Sequence, residues 1–437
     1  MKDLARNVFR DVLAAVDIRA AMEKHLSRTG HHMHAAGRTF DLRAFDTILA
    51  IAFGKAAFTM AQAFARLMGP EYPTEGILIV PEPPARALPG WRTFVGGHPV
   101  PNAASFEAGK TILERFKQAD ERTLIFFLIS GGGSSLVEWP LNPAASLVDF
   151  QALNAALVTS AASIEEINTV RKHLSAIKGG RMAAAAPHST KITFAVSDVP
   201  QGAESALASG PTVPDPTTVV DAAWVLTKYD LARSLPPVLG LDRGSSAFFE
   251  SPKAGDPAFA HSHFTMLLTA HDLLHAAHRA CESAGWRCIC DNSTDNWPVE
   301  RAADYLLGLL LRSRQEQDLE DPRRPVAVLC AGELSSPVTG DGIGGRNSAF
   351  ILACAPKIAG KRIVVLSAGT DGIDGNSPAA GAVADGETLA RAHAAGMDWE
   401  EFQLRSDAYH FFERLGDAVV TGATGNNLRD LRILLAS

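Results

Sequence analysis

The sequence predicts an α/β protein built on parallel sheets with helices on both faces, and three observations carry that prediction. Short apolar runs bounded by Gly or polar residues recur along the chain, helical patterns fill the intervals, and one Pro-, Gly- and Ser-rich stretch interrupts the alternation. The runs at 46–53 (DTILAIAF), 76–80 (GILIV), 123–130 (TLIFFLIS), 191–197 (KITFAVS), 265–270 (TMLLTA), 326–331 (VAVLCA) and 362–368 (RIVVLSA) are nearly continuous in apolar character. Strands buried on both faces have that composition, because neither side meets water. FEAGKTILERF (106–116), SIEEINTVRKHL (163–174) and VERAADYLLGLLL (299–311) carry the helical period. The second opens on Ser163 with Glu166 three residues later, the pattern of a capping box. The stretch 234–263, SLPPVLGLDRGSSAFFESPKAGDPAFAHSH, has no period. It divides the chain into an N-terminal domain over 1–235, a linker over 236–262 and a C-terminal domain over 263–437.

Among 437 residues, 41 Lys and Arg stand against 48 Asp and Glu, a formal net charge of -7. So mild an acidity gives no electrostatic footprint for nucleic acid, and an anionic ligand must be held by a few locally placed cations. With 46% hydrophobic and 20% charged residues the chain is globular rather than disordered. The five cysteines, Cys281, Cys288, Cys290, Cys330 and Cys354, form no CxxC pair and have no matching His cluster. They fit neither a disulfide framework nor a zinc site, and reduced, packed thiols are expected. No apolar run reaches the roughly 18 residues of a membrane span. The N-terminus, MKDLARNVFRDVLAAV, is amphipathic and lacks the apolar core of a signal peptide, so the cytoplasm is the expected address.

Ligands of open α/β sheets bind beyond the carboxyl ends of the strands. Those ends carry Gly54-Lys55, Ser130-Gly131-Gly132-Gly133-Ser134-Ser135, Ser197-Asp198 with Gln201-Gly202, Gly332-Glu333, and Gly369-Thr370-Asp371-Gly372 with Asp374-Gly375. Gly beside a polar or charged residue at five strand ends points to a ligand site rather than to five ordinary turns. The triple glycine lets backbone N–H groups converge on an anion, flanking serines add hydroxyl donors, and a following helix N-terminus would add its dipole. A phosphate cradle is expected there. Ser134 as a nucleophile is the weaker reading, since GGGSS is not GxSxG and no His follows in a hydrolase order.

Two nucleotide motifs are near misses. Gly109-Lys110-Thr111 has Ala104 where a P-loop needs its first Gly, and it lies in a helical pattern. Gly340, Gly342 and Gly345 satisfy GxGxxG but lie about nine residues past their strand, too far for a dinucleotide turn. That loop is expected to hold an anion and to present Arg346, whose planar fork suits carboxylate or phosphate. Lys55 reads equally as a phosphate ligand or as a surface lysine at a helix start. Of Arg171, Lys172, Lys178 and Arg181 in RKHLSAIKGGR, some are expected on a solvated face. Asp198, Asp371 and Asp374 suit Mg²⁺ or acceptance of a hydroxyl proton, and each could equally cap a helix or turn. HHMH (31–34) lacks partners at metal-ligand spacing and receives no role.

VRKHLSAIKGGRMAAAA (170–186), SDVPQGAESALASGPTVPDPTT (197–218), GDGIGGRNSAF (340–350), TDGIDGNSPAAGAVADG (370–386) and GDAVVTGATGNNLRDL (416–431) closely resemble the class II glycerate kinases, a group often labelled hydroxypyruvate reductase. GGHPVPNAASFEAGK (96–110) and ISGGGSSL (129–136) fit the same pattern, so the resemblance runs from about Gly54 to Leu431. It implies two α/β/α three-layer domains, a larger Rossmann-like N-terminal one and a smaller C-terminal one, with the active site in the cleft between them. It implies transfer of the ATP γ-phosphoryl to a hydroxyl of D-glycerate, with Mg²⁺, giving 2-phosphoglycerate and ADP. Carried onto matching positions, Lys55 and Arg346 become the catalytic cations. Asp198 becomes the proton acceptor or metal ligand. Ser130, Gly131, Gly132, Gly133, Ser134, Ser135, Lys178, Gly202 and Glu333 fall on the nucleotide side, and Lys55, Arg346, Asp371 and Asp374 on the substrate.

Some positions depart from the family pattern. Ala331-Gly332-Glu333-Leu334-Ser335 stands for Gly-Gly-Glu-Thr-Thr, Asp341 and Ile343 replace residues that are often basic, and Ser377-Pro378 stands where an acidic residue is usual. The helix start TAHDLLHAA, from Thr269, lacks the family's frequent Asn. These bear on the hydroxy acid more than on the reaction. The partners expected are small molecules, with neither nucleic acid nor membrane, and a homodimer is compatible. The alternatives are an NAD(P)H-dependent hydroxypyruvate reductase, which needs a dinucleotide fold with an acidic ribose ligand about 20 residues on, and a non-catalytic binding protein on the same scaffold.

Overall fold

The computed structural model describes residues 1–197, 199, 204–231, 235–241, 246, 248–426 and 428–437. They form two units: Ile18–Leu267, and Met1–Asp17 together with Leu268–Ser437. Helix α1 (Lys2–Ala15) thus belongs to the second unit although it opens the chain.

The first unit begins with α2 (Ile18–His25) and an antiparallel meander of β1 (Leu26–Thr29), β2 (His32–Ala35) and β3 (Arg38–Asp41). Then come β4 (Thr47–Phe53), α3 (Ala57–Met68), β5 (Glu75–Val80), β6 (Trp91–Val95), α4 (Ala103–Phe116) and β7 (Thr123–Ser130). They are followed by α5 (Leu147–Thr159), α6 (Ile164–Lys172), α7 (Arg181–Ala184), β8 (Thr190–Val196), α8 (Val219–Lys228) and β9 (Ser262–Leu268). The sheet order is β6-β5-β4-β7-β8-β9, and β6 through β8 run parallel. Every residue of β7 is buried, as its unbroken apolar run requires. Successive strand residues point to opposite faces. Ile125, Phe127 and Ile129 therefore pack with Ala108, Ile112 and Phe116 of α4, while Phe126 meets Phe64 of α3 with ring centroids 4.6 Å apart. Each fully buried side chain of this size contributes about 1.5–3 kcal/mol. Helices α5, α6 and α8 share a satellite core around Phe150, Leu153, Val170 and Leu226.

The second unit continues with α9 (Ala270–Ser283), β10 (Arg287–Cys290), α10 (Val299–Glu320), β11 (Val326–Gly332), α11 (Arg346–Ile358), β12 (Ile363–Gly369) and β13 (Gly381–Asp385). It closes with α12 (Thr388–Ala394), α13 (Trp399–Leu404), α14 (Ala408–Arg414), β14 (Ala418–Val419) and β15 (Asp430–Ala436). Its sheet order is β10-β11-β15-β12-β13-β14. Val326, Val328 and Cys330 pack with Leu306, Leu310, Phe350 and Ile351 of α10 and α11, and α1 and α9 cover the other face. Both units are therefore three-layer α/β/α structures.

Two expectations need correction. This second sheet is mixed rather than parallel, because β15 inserts between β11 and β12 antiparallel to both, with all seven of its residues buried. The strand at 262–268, placed above in the C-terminal domain, lies in the first sheet: Lys191 N donates to His261 O (2.8 Å), and Phe264 and Met266 pack on the first core. The five cysteines are free thiols. Among the described residues no helix is long and apolar enough to cross a membrane.

Candidate active site

In the first unit β4 and β7 lie side by side and end together, which sets the corner at Gly54 against Ser130. Gly54 has φ +120°, and a Cβ there would run into the Oγ and carbonyl of Ser130. Ser130 Oγ accepts from Ala56 N (2.9 Å), and Lys55 N donates to Gly131 O (3.0 Å), so the two strand ends are laced together. The exposed Lys55 side chain lies over the triple glycine: its Cγ is 3.2 Å from where a Cβ on Gly132 would sit, and His98 Nε2 is 3.4 Å from the same point. Burial, and then the Lys55 charge, hold the His98 imidazole below its ordinary value. Beyond the strand, the N–H groups of Gly132, Gly133, Ser134 and Ser135 donate to no described residue, while Leu136 N returns to Gly133 O (3.2 Å). Four consecutive N–H groups with no described acceptor, beside a lysine, are the arrangement that an anion-binding loop requires. Ser134 Oγ pairs with Ser209 Oγ (2.7 Å), and Ser209 donates to Asn168 Oδ1 on α6 (2.9 Å). Neither imidazole nor carboxylate is in that chain to activate Ser134 as a nucleophile.

The basic segment after α6 differs from expectation. Lys172 and Lys178 are buried, and Arg171 and Arg181 are half-buried, so none of the four forms a simple solvated face. Lys178 Nζ is bound to Glu138 Oε2 (2.6 Å) and to the Val137 carbonyl (3.4 Å), and Ser175 donates to the same carboxylate. Its ammonium is spent inside the protein. We therefore move Lys178 from the nucleotide ligands to the scaffold beneath the glycine loop. Lys172 is likewise held by the buried Asp215 (3.1 Å).

In the second unit, Arg346 opens α11. Its Nε and Nη2 donate to the two oxygens of Asp430 (2.5 and 3.1 Å), and Nη2 also meets Glu333 Oε1 (2.8 Å). Burial works against its charge, but Asp430 and then Glu333 outweigh that and raise its pKa. Asp430 is the first residue of β15 and is 1% exposed, so it aims Arg346 rather than meeting solvent. The neighbouring turn is fixed by Asp295, which takes both Nη groups of Arg429 (2.8 Å each) and the N–H of Glu333 (2.9 Å). Asp371 lies at the same strand ends: a Cβ on Gly369 would sit 3.1 Å from Asp371 Oδ1 and 3.4 Å from Asp430 Oδ1.

Two further expectations change here. The loop around Gly340, Gly342 and Gly345 does not offer the row of N–H groups expected of an anion loop, because those from Gly342 to Gly345 are occupied. Gly342 N goes to Arg405 O (2.9 Å), Ile343 N to Asp407 Oδ1 (2.8 Å), Gly344 N to Asn376 Oδ1 (2.9 Å) and Gly345 N to Ser348 Oγ (3.1 Å). Asp374 is buried and accepts from Asn347 N (2.9 Å), Ser348 N (2.8 Å) and Ser348 Oγ (2.6 Å). It closes the N-terminus of α11 and has no face left for substrate. Burial raises the Asp374 pKa even so. Glu333, expected on the nucleotide side, stands in the second unit against Arg346. Asp198 and Gly202 lie outside the described residues. Sequence reasoning passed over His98, Glu138, Asp295 and Asp430. For Asp430 a signal existed, since an acid opening an otherwise apolar final run, DLRILLA, has to be paired.

The first unit sets its glycine-rich loop beside Lys55, the second holds Arg346 between Asp430 and Glu333, and both are α/β in class. Residues 4–240 match a family model described as Domain of unknown function (DUF4147), and residues 326–430 match the MOFRL family. The chain is 32% identical to the D-glycerate 2-kinase of Thermotoga maritima, over 89% of this chain and 90% of that one. It is 29% identical to the glycerate 2-kinase of Pyrococcus horikoshii, over 100% and 98% of the two chains. The crystal structure of a glycerate kinase from Thermotoga maritima superposes with a TM-score of 0.82 at 30% identity, covering 100% of this chain and 99% of that one. The chain belongs to the class II glycerate kinase family.

Proposed function

We propose that this protein is an ATP-dependent D-glycerate 2-kinase, converting D-glycerate and ATP to 2-phosphoglycerate and ADP. The observation that carries the reading is the run of unspent N–H donors at Gly132–Ser135 beside Lys55, a cradle for phosphate oxygens, in a chain whose relatives are named glycerate kinases. Phosphoryl transfer asks a protein mainly to position two reactants and to neutralise the charge on the group in flight. The glycine loop holds the nucleotide's phosphates through backbone N–H groups. Lys55 neutralises the transferred phosphoryl group, and Arg346, aimed by Asp430, holds the acid substrate's carboxylate or the incoming phosphoryl oxygens. The glycerate 2-hydroxyl loses its proton as its oxygen bonds to the γ-phosphorus and the bond to the β-phosphate oxygen breaks. Asp198 is assigned as the proton acceptor on the family resemblance.

Mg²⁺ takes hard oxygen donors and commonly uses only one or two carboxylates, the rest being water and phosphate. Among the described residues no group of three His, Cys, Asp or Glu side chains could hold a metal. The fit is to a cation carried in by the nucleotide, with Asp371 or Asp198 as protein ligand, and it would neutralise phosphate charge. A reductase is disfavoured because the N–H groups of the GxGxxG loop from Gly342 to Gly345 are occupied. ATP as substrate suits the cytoplasmic address expected from the sequence. The test is ³¹P NMR of the products formed from D-glycerate and Mg²⁺-ATP. A 2-phosphoglycerate resonance appearing with ADP is expected. A 3-phosphoglycerate resonance would overturn the regiochemistry, and absence of ADP would overturn the kinase reading.

A further inference from the structure

Among the described residues, three arginines carry a buried Nε with no hydrogen-bond partner: Arg171, Arg181 and Arg432. Arg181 still donates through Nη2 to Phe249 O (2.6 Å), and Arg432 through Nη2 to Gly332 O (3.0 Å). Arg171, among the described residues, donates nothing from any nitrogen of its side chain. Its Nε is buried without a partner, which is costly because that donor was taken from water without replacement.

Among the described residues it has no counter-ion of its own. The nearest carboxylate is Glu138, which attracts Arg171 through space, but Glu138 is already engaged by Lys178 Nζ, Ser175 Oγ and Trp139 N (3.0 Å). Arg171, Lys178 and Glu138 therefore make a cluster of two cations and one anion, with one positive charge uncompensated. The position matters as much as the charge. Arg171 lies one helical turn after Asn168 on α6, and side chains three apart share a helix face. Asn168 is tied through Ser209 to Ser134 of the glycine loop, and Glu138 follows that loop by three residues. The unspent guanidinium thus sits on the helix face that supports the unspent loop amides.

We propose that Arg171 is an anion ligand that completes the glycine loop, binding a phosphate group of the nucleotide. This rests on the kinase reading for the identity of the ligand, though not for the presence of an anion site. Arg171 would supply the planar, multi-donor contact that the loop's single N–H groups lack, and the ligand would supply the missing negative charge.

The probe is inorganic tripolyphosphate, titrated calorimetrically into the wild-type protein, Arg171→Lys and Arg171→Gln, with ATP KM and kcat measured alongside. Arg171→Lys keeps the charge and is the variant most able to fold. The expected result is wild-type binding of tripolyphosphate, weakened at least tenfold (about 1.4 kcal/mol) in both variants, with ATP KM rising in proportion and glycerate KM unchanged. A merely structural arginine would lower the melting temperature and leave the tripolyphosphate affinity and the ATP KM of Arg171→Lys at wild-type values; that outcome overturns the proposal. Tripolyphosphate binding that depends on Arg171, in a protein that does not phosphorylate glycerate, would uphold the anion site and overturn the kinase reading alone.

Discussion

Replacing Asp430 by Asn measures what holding Arg346 in place is worth. The carboxylate is 1% exposed and takes Arg346 Nε at 2.5 Å and Nη2 at 3.1 Å, whereas Glu333 meets Nη2 from a partly exposed position at 2.8 Å. Asparagine keeps the shape and one acceptor oxygen, but it turns the second oxygen into an NH₂ facing an N–H donor. One charge-assisted bond is lost, worth about 1.5–3 kcal/mol. If the lost energy orients Arg346 in the transition state, kcat falls by about 10- to 150-fold, at tenfold per 1.36 kcal/mol. The assay is ADP release coupled to NADH oxidation, with saturating D-glycerate and ATP. Because Asp430 acts through Arg346, the double variant Asp430→Asn/Arg346→Ala should be no slower than Arg346→Ala alone. A kcat within threefold of wild type, or fully additive losses in the double variant, would refute the reasoning.

The remaining predictions separate chemistry from scaffold. Lys55→Ala should lose about 10²-fold or more in kcat with an unchanged melting temperature, since the exposed side chain contributes little to packing; half-maximal turnover would remove Lys55 from its role. Lys178→Met leaves the 2% exposed Glu138 without its ion-pair partner. It should destabilise the protein by about 3–5 kcal/mol in urea unfolding, and wild-type stability would return Lys178 to the ligands. His98 has a folded-state pKa below the ordinary 6.5, so the unfolded chain binds the proton more readily. Its contribution to stability is complete above pH 6.5 and is lost as pH falls through 6.5 toward the folded value. His98→Gln should therefore flatten the decline of melting temperature below pH 6.5, and an identical acid slope in the two proteins would contradict the assignment.

Strands buried on both faces were easy to read. TLIFFLIS and VAVLCA are unbroken apolar runs, and both became fully buried interior strands, because continuous burial leaves a pattern that does not depend on tertiary detail. The order of the second sheet was not legible: LRILLA resembles any other buried strand, and nothing local says that it inserts antiparallel between two strands from far earlier in the chain. The corners Gly54-Lys55 and Ser130–Ser135 stood out in the sequence because glycine clustering at strand ends is itself a local signal, and the structure sets the two side by side. Lys178 and Asp374 were misassigned for the converse reason. A charged side chain beside a strand end looks like a ligand until its partner is known, and Glu138 and Ser348 lie 40 and 26 residues away.

The two glycine-rich loops make that point in one molecule. SGGGSS and GDGIGGRN are similarly rich in glycine, and the second carries the better-known spacing. In the second loop every N–H from Gly342 to Gly345 has an acceptor, three of them on the segments 374–376 and 405–407 and the fourth on Ser348 Oγ, so glycine there serves close packing that fixes where Arg346 emerges. In the first loop four successive N–H groups have no described acceptor, and the nearby Arg171 has none either. An unspent donor at a half-buried position is tolerable only if something outside the chain accepts from it. Composition is thus neutral between a packing loop and a binding loop. Donor accounting separates them, and it is the ground on which we propose anion capture for the loop beside Lys55 and the presentation of a cation for the other.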